Sequence, residues 1–472
     1  MKNSLLKTFF ASGLQAISVQ ILGIVFFIVL SLYLPKDDFG SISWANATSV
    51  FITTLLSFGL DQVVVRRIAS SRISDWAAAA YLVHALIGSV ITLLILFVTT
   101  HFLGGIEKYA YLKWFFIAQA LSYIALPLKQ FLNARQNFTP YAIISFFSNV
   151  IKILLAIYFV LTKMISIKYV AAIMIFCGLL EFLALLIYVS KKEHLKWRFK
   201  KSAYLKILKE SVPQYVSVLF DSGLSRADWI LLGIMSTTSV TADYSFAYRA
   251  FEMCRLPIVV VAPIILNVFA RLLVGGNRLD AEKQQQVSSI YSMELFLSTL
   301  IPLCLNILWS PVVTAVFKGK YGAVNATQFM LLSFCLPFMF VINLFWTLSF
   351  SAKKYKQISF ITFFSAIFNL LLNVALIHYY EATGAAVSFL LTTLLQTVLH
   401  YRLVKKYVMG FSILKPLMFF GIAIAAYYGA TFLVINVGLQ LLSAIIIYLV
   451  FCVGVKAVNI TDLQTLKLLL KK

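Results

Sequence analysis

Charged side chains stand inside stretches of this sequence that are otherwise apolar. Residues 144–157 read ISFFSNVIKILLAI with Lys152 near the middle, and residues 361–374 repeat the phrase as ITFFSAIFNLLLNV, with Asn369 in place of the lysine. A charge near the centre of a hydrocarbon layer costs about 2.5–3.5 kcal/mol even on an insertion scale, so such residues generally face a protein interior or a water-filled cavity. The pattern predicts recognition of charge within a membrane.

Polar residues around these charges recur at helical spacing, which places them on one face of each apolar stretch. Ser145, Asn149 and Lys152 form one such stripe. Two interpretations stay open for the neutral members, because Ser, Thr and Asn also join helices to one another within membranes. The polar residues predicted to line a cavity are Gln15, Asn46, Asn149, Gln214, Tyr244, Tyr248, Asn369 and Asn373.

The seventh and eighth apolar stretches carry more ionisable residues than helix packing requires. There are six of them: Asp221, Arg226, Asp228, Arg249, Glu252 and Arg255. Mutual ion pairing would neutralise them, whereas a water-filled cavity lined by cations would bind an anionic headgroup. The arginines favour the cavity, because a planar guanidinium matches phosphate oxygens with two parallel hydrogen bonds.

Lys152 itself has two interpretations that the residues leave open. Either it pairs with Glu181 on the next stretch, or it faces the cavity and contacts a phosphate or a sugar acid. Among the acids, Glu181, Glu252 and Glu294 are the predicted proton carriers, since burial makes the charged form of a carboxyl costly. The predicted cavity acids or ion-coupling residues are Asp61, Glu181, Asp221, Asp228, Glu252 and Glu294.

Features typical of enzymes and metal sites are missing from the sequence. The five cysteines lie in or beside apolar stretches without metal-ligand spacing, and we interpret them as small core residues. No phosphate-binding loop of the G-x-x-x-x-G-K-[ST] type occurs, and the loops are too short for a soluble catalytic domain. We therefore predict a protein that is not an enzyme, with no catalytic residue, cofactor or metal.

The elements that must hold these residues are membrane-spanning helices. The chain of 472 residues is 61% hydrophobic and 12% charged, about half the charged fraction of an average soluble domain, and its mean hydropathy is +0.92. Runs long enough to cross about 30 Å of hydrocarbon predict an all-α polytopic membrane protein. Fourteen spans are predicted, over residues 9–34, 40–65, 76–101, 109–131, 139–162, 168–190, 211–236, 242–269, 286–316, 324–350, 357–378, 383–402, 415–435 and 438–456.

The net charge of +23 follows these spans and does not indicate binding of nucleic acid. With a cytoplasmic N-terminus, 29 of the 40 Lys and Arg residues fall in inner segments and seven in outer loops. An excess of cations in alternate loops is the positive-inside rule. It predicts an even number of spans, with both termini in the cytoplasm.

The repeated phrase belongs to a longer internal repeat. Six helices recur with the same topology, which predicts two lobes, 1–200 and 201–410, related by a pseudo-two-fold axis along the membrane normal. Residues 411–458 form two additional spans, and residues 459–472 read as a cationic amphipathic tail on the membrane surface. The basic connector that ends the first lobe should lie on the anionic inner leaflet.

Four segments of the chain read YLPKDDFGSISWANA, SFGLDQVVVRRIA, RADWILLGIMSTTSVTADYSFAYRA and FNLLLNVALIHYYEATGAAVSFLLTT. They resemble bacterial flippases of O-antigen or capsule repeat units, in the multidrug, oligosaccharidyl-lipid and polysaccharide exporter superfamily. The resemblance covers essentially the whole chain. It implies two lobes around a cavity lined by spans one, two, seven and eight, which opens alternately to each side. The cationic cavity positions of these flippases correspond to Arg226, Arg249, Arg255 and Lys152.

The resemblance also implies what the protein carries and where. The substrate would be a glycan repeat unit linked through diphosphate to undecaprenol, moved across the bacterial inner membrane from the cytoplasmic to the outer leaflet. The resemblance further implies coupling to a proton or sodium gradient and a groove for the prenyl tail on spans thirteen and fourteen. It also implies polymerase and chain-length proteins as partners. Lipid II flippases place arginine in the first span, where this chain has Gln15 and no cation between Lys7 and Lys36, which favours an O-antigen, capsule or exopolysaccharide unit.

A lipid II-type flippase and a cation or drug antiporter of the same superfamily are the alternatives. A cation antiporter would need an acidic cavity, whereas this one sets three arginines and a lysine against its acids. A membrane polymerase or glycosyltransferase would need a large outer loop with catalytic acids. A scaffold would not explain the charges in spans seven and eight, so the sequence favours a flippase.

Overall fold

The computed structural model describes residues 19–70, 76–102, 107–193, 195, 199–273, 278–433 and 436–457. These residues form helices joined by short turns, with no β-strand among them, which confirms the predicted all-α class. The helices are α1 Val19–Tyr33, α2 Lys36–Ser57, α3 Leu60–Ser70, α4 Trp76–Phe102, α5 Leu112–Ala134, α6 Phe138–Leu161, α7 Ile167–Lys191, α8 Lys201–Met235, α9 Thr238–Cys254, α10 Leu256–Leu272, α11 Ala281–Leu308, α12 Ala326–Ser351, α13 Tyr355–Tyr407, α14 Leu414–Leu433 and α15 Val437–Gly454.

Most of these helices have the length and apolarity of membrane spans. In the described part of the chain, nine helices qualify on their own, and α2 with α3, bent by 49° relative to each other, forms a tenth span. The remaining predicted spans fall on α1, on α8, on α9 with α10, and on the second half of α13. Over the residues that the structure describes, each predicted span therefore coincides with helix, and the chain is a multi-pass membrane protein.

Helix α13 is too long to cross a membrane once. Its 53 residues would extend about 80 Å at 1.5 Å per residue, and the chain breaks at Glu381, where φ is 47° and ψ is −125°. The two arms fold back on each other, since Asn369 Nδ2 donates to Thr392 Oγ1 at 3.2 Å. Gly384 allows this close return, because a Cβ there would lie 2.2 Å from the Leu376 carbonyl oxygen.

The chain forms two compact units, Met1–Ala242 and Asp243–Lys472. The core of the first unit joins α3, α4, α5 and α7 and contains the fully buried Phe131. The core of the second unit joins α10, α11 and α12 to α14 and α15, and it contains the buried Phe345 and Tyr448. The two C-terminal helices therefore pack into the core of the second unit, although no repeat predicts where they lie.

Helix α8 packs lengthwise along α2 and α3 within the first unit. Near the end of α8, Trp44 of α2 donates from Nε1 to the Ile230 carbonyl at 3.2 Å, and its indole lies against Gly233. Near the beginning of α8, Arg67 of α3 donates two hydrogen bonds to the Glu210 carboxylate. The internal repeat assigns α8 to the second lobe, and the lobes 1–200 and 201–410 stay a prediction.

A side chain at position 233 should disrupt the packing between α2 and α8. In Gly233→Ala the Cβ would come within 1.8 Å of the Trp44 ring, and because that indole is buried, it has no room to move. We expect a loss of about 1–3 kcal/mol from overpacking, measured by thermal unfolding in detergent.

Gly223→Ala on the same helix is the matched control, because nothing lies within 4 Å of the Cβ that it would add. Its added helix propensity should leave the protein equally stable or stabilise it by up to about 1 kcal/mol. Equal unfolding temperatures for the two variants would show that α2 and α8 do not pack closely in the membrane protein.

Candidate functional site

A buried ion pair links α5 to α7 in the first unit. Lys129 Nζ donates to Glu181 Oε1 at 2.8 Å, with 16% and 11% of the two side chains exposed. Ser145 of α6 donates to the same oxygen at 2.5 Å, so three helices meet at one carboxylate. The Lys129 ammonium also lies 5.4 Å from the centre of the Tyr141 ring.

Lys152 lies on the same stripe of α6 as Ser145. Its ammonium donates to Asn149 Oδ1 at 3.0 Å and lies 5.7 Å from the centre of the Phe26 ring. Asn149 Nδ2 in turn donates to the Ser145 carbonyl at 2.8 Å. Of the two interpretations of Lys152, the ion pair with Glu181 is therefore not formed here, since Lys129 is the cation that pairs with Glu181.

The charges of this cluster do not balance. Glu181 is the only acidic residue in the sequences of α5, α6 and α7, and it compensates one of two half-buried ammonium groups, Lys129 and Lys152. One positive charge remains next to an amide and an aromatic ring. Because an uncompensated charge is costly in the membrane, an anion bound beside Lys152 would stabilise the cluster.

Helix α8 holds the charged residues predicted for span seven. Asp228 is fully buried, and its Oδ1 accepts a hydrogen bond from the Trp229 backbone at 2.8 Å. The Arg226 guanidinium lies 5.1 Å from the centre of the Trp229 ring. Asp221 is exposed and Gln214 is half-buried.

Helix α9 places two arginines at its C-terminal end in the second unit. Arg249 Nη1 donates to Glu252 Oε2 at 2.6 Å, one helical turn away, with 37% and 23% of the two side chains exposed. Arg255 lies at the junction of α9 and α10, 5.9 Å from the centre of the Phe251 ring. Both guanidiniums are partly exposed, whereas Tyr244 and Tyr248 are fully buried.

Other predicted residues lie on α2, α3 and the first arm of α13. Asn46 is half-buried on α2, and Asp61 on α3 accepts a hydrogen bond from the Tyr81 hydroxyl. On the first arm of α13, Asn373 Nδ2 donates to Asn369 Oδ1 at 2.9 Å, and both residues are fully buried. The prediction for Gln15 falls outside the described residues.

The predicted residues divide between the two units. The first unit holds Asn46, Asp61, Asn149, Lys152, Glu181, Gln214, Asp221, Arg226 and Asp228. The second unit holds Tyr244, Tyr248, Arg249, Glu252, Arg255, Glu294, Asn369 and Asn373. Sequence reasoning missed Lys129, which was counted with the inner-loop cations; its position inside the predicted span 109–131 was the available signal.

The fold is shared with solved structures of membrane transport proteins. The lipid II flippase MurJ in its inward closed conformation has 15% identity and a TM-score of 0.75, over 93% of this chain and 97% of that chain. An inward-facing multidrug resistance MATE family transporter of the MOP superfamily has 14% identity and a TM-score of 0.66, over 82% and 95% of the two chains. A mutant of the Vibrio cholerae MATE transporter VcmN has 14% identity and a TM-score of 0.59, over 86% and 96%.

The sequence profile of the family described as "Polysaccharide biosynthesis protein" matches residues 5–269, which is more than half of the chain. The chain therefore belongs to this family. No curated protein sequence matches it. The family and the fold confirm the resemblance to flippases of the exporter superfamily, whose matched members are carriers rather than enzymes.

Removing one partner of the Lys129–Glu181 pair should destabilise the protein more than removing both. Lys129→Met or Glu181→Gln leaves a buried polar group without its partner, which costs about 3–5 kcal/mol when a buried ion pair is broken. We expect the double variant to recover at least half of that loss in thermal unfolding measurements.

The exposed pair of Lys283 and Asp280, 3.5 Å apart, provides the control. Lys283→Met should change stability by less than about 1 kcal/mol, as is general for surface pairs. If Lys129→Met is no more destabilising than Lys283→Met, water solvates the Lys129 ammonium and the pair is not buried.

Proposed function

We propose that the protein is a flippase for a glycan repeat unit linked through diphosphate to undecaprenol, which it moves from the cytoplasmic to the outer leaflet of the bacterial inner membrane. The observation that carries this proposal is the unbalanced cluster of Lys129, Lys152 and Glu181, which leaves one positive charge inside a membrane span. An anionic headgroup passing through the protein supplies the missing negative charge.

The chemistry of the substrate supports this assignment. A diphosphate with sugars attached loses its hydration in hydrocarbon and crosses the bilayer only if polar groups replace that water. Lys152 in the first unit and Arg255 in the second offer ammonium and guanidinium donors near aromatic rings. Arg249 lies beside its carboxylate partner Glu252, which keeps the guanidinium oriented between binding events.

The prenyl tail needs an apolar surface open to lipid, and the second unit contains one. A cavity of about 330 Å³ lies between α11, α12 and α14, with Leu303, Phe334 and Phe420 among its walls. Ile424 and Tyr428 at its edge are 49% and 67% exposed. The proposal places part of the tail in this groove while the headgroup moves, so that only the polar end leaves the hydrocarbon.

The substrate class follows from the first span. Gln15 stands where lipid II flippases place arginine, and no cation lies between Lys7 and Lys36, so an O-antigen, capsule or exopolysaccharide unit is preferred to a peptidoglycan precursor. Both termini lie in the cytoplasm, as the distribution of cations indicates. An ion gradient of protons or sodium drives the cycle, and polymerase and chain-length proteins use the product.

Deletion of the gene should accumulate one complete repeat unit on the lipid and abolish the surface polymer. In the deletion strain, Lys152→Met should produce at least about tenfold less surface glycan than the wild-type protein does. The variant loses the hydrogen bond from Lys152 to the charged headgroup, and such a bond contributes about 1.5–3 kcal/mol. Extraction of the lipid-linked intermediates, with immunoblotting of the surface polymer, measures both effects.

Lys168→Met is the matched control, since Lys168 lies exposed in the first turn of α7 and should restore wild-type export. Normal intermediates and normal surface glycan in the deletion strain would overturn the flippase assignment. The strain would then be tested for sensitivity to cationic drugs, because multidrug transporters share the fold.

A further inference from the structure

The six predicted coupling acids differ in what surrounds them. Four accept a hydrogen bond from a cation, a hydroxyl or a backbone N–H: Asp61, Glu181, Asp228 and Glu252. Asp221 is exposed. Glu294 on α11 is the exception, because it is only 6% exposed and its Oε2 has no hydrogen-bond partner among the described residues.

The helices packed against α11 bring no cation to this carboxyl. Helices α12, α14 and α15 contact α11, and α10 and the second arm of α13 share its core. The titratable residues of these five elements are Arg271, Cys335, His400, Tyr401, Arg402, Lys405, Lys406, Tyr407, Lys415, Tyr427, Tyr428, Tyr448 and Cys452, and among the described residues none of these cations forms an ion pair with Glu294. The Lys415 ammonium donates to Ser292 Oγ at 2.7 Å, and the Tyr448 hydroxyl bonds with Thr299 Oγ1 at 2.6 Å. At 3.6 residues per turn, both Ser292 and Thr299 lie more than a third of a turn around the helix from Glu294.

An isolated carboxylate at this position would carry the cost of desolvation with no compensating charge. The side chain is therefore stable in this conformation as the uncharged acid, with a proton on one oxygen. A proton needs only the carboxyl itself.

We propose that Glu294 carries the coupling proton of transport, an inference that rests on the proposed flippase function and selects the proton over sodium. In one half of the cycle the carboxylate is open to water on the outer side, where it takes a proton from hydronium and an O–H bond forms. The neutral side chain is then buried, in the position that it has here.

In the other half of the cycle the O–H bond breaks and the proton passes to water on the cytoplasmic side. The resulting carboxylate is costly to bury, so its charge shifts the conformational equilibrium toward the state in which α11 is open to water. Entry of the proton down its gradient thereby favours the conformational change that returns the carrier to its starting state. Glu294 links proton entry to that conformational change.

Glu294→Gln tests this proposal, because the amide has the size of the acid and is always uncharged. Infrared difference spectra of the purified protein in lipid, recorded from mildly acidic to mildly alkaline pH, should show a protonated carboxylic acid band. Glu294→Gln should abolish that band. Glu282→Gln should retain it, since Glu282 is exposed in the first turn of the same helix.

The same variants are then tested in the deletion strain for surface glycan, with and without nigericin, which collapses the pH gradient by exchanging K⁺ for H⁺. We expect nigericin to lower export by the wild type and by Glu282→Gln. Glu294→Gln should export at least about tenfold less glycan, and the remainder should not respond to nigericin. A residue with only a structural role would lower export without changing its response to the pH gradient.

Two results would overturn the assignment of Glu294. The first is a protonated-acid band that is absent from the wild-type spectrum or is still present in the spectrum of Glu294→Gln. The second is export by Glu294→Gln that responds to nigericin as wild-type export does. Failure of the flippase function would look different, with normal lipid-linked intermediates in the deletion strain. The infrared spectrum needs no substrate, so it would still decide whether Glu294 holds the proton.

Discussion

A charged group inside a membrane must be compensated or must lose its charge, and the described part of this chain contains both situations. In the first unit, Lys129 compensates Glu181 at the meeting point of three helices, and Lys152 is left with an amide and an aromatic ring. In the second unit, Glu294 is buried with no cation beside it. The constraint that decides which polar residues the spans tolerate therefore also marks where an anion and a proton would bind.

The helices that carry these groups are shaped by the same environment, because the backbone has no water to bond with in hydrocarbon. Where a helix is longer than the membrane is thick, it breaks at a defined residue and returns, as α13 does at Glu381. Where helices must approach closely, glycine removes the Cβ, as Gly233 does against the Trp44 ring.

The last two helices, α14 and α15, contribute apolar surface, whereas the charged clusters lie on other helices. Helices α14 and α15 pack on α11, and the groove between α11, α12 and α14 is walled by side chains such as Leu303 and Phe420. The described helices thus present two different kinds of surface, cationic clusters and an apolar groove. Glu294 lies on the same helix α11 that lines the groove.

Hydropathy and helical spacing determined the spans and their polar faces from the sequence alone, because helix formation in a membrane depends on properties local to each segment. The repeated phrase likewise predicted matching polar stripes on α6 and the first arm of α13. Spacing along a helix indicates a face but gives no distance to the next helix, so the sequence left open whether Lys152 pairs with Glu181 or faces the cavity. Only the tertiary structure showed which cation pairs with Glu181, since packing brings Lys129, far away in sequence, to 2.8 Å from it. Packing also leaves Glu294 buried, with no hydrogen-bond partner for its Oε2 among the described residues.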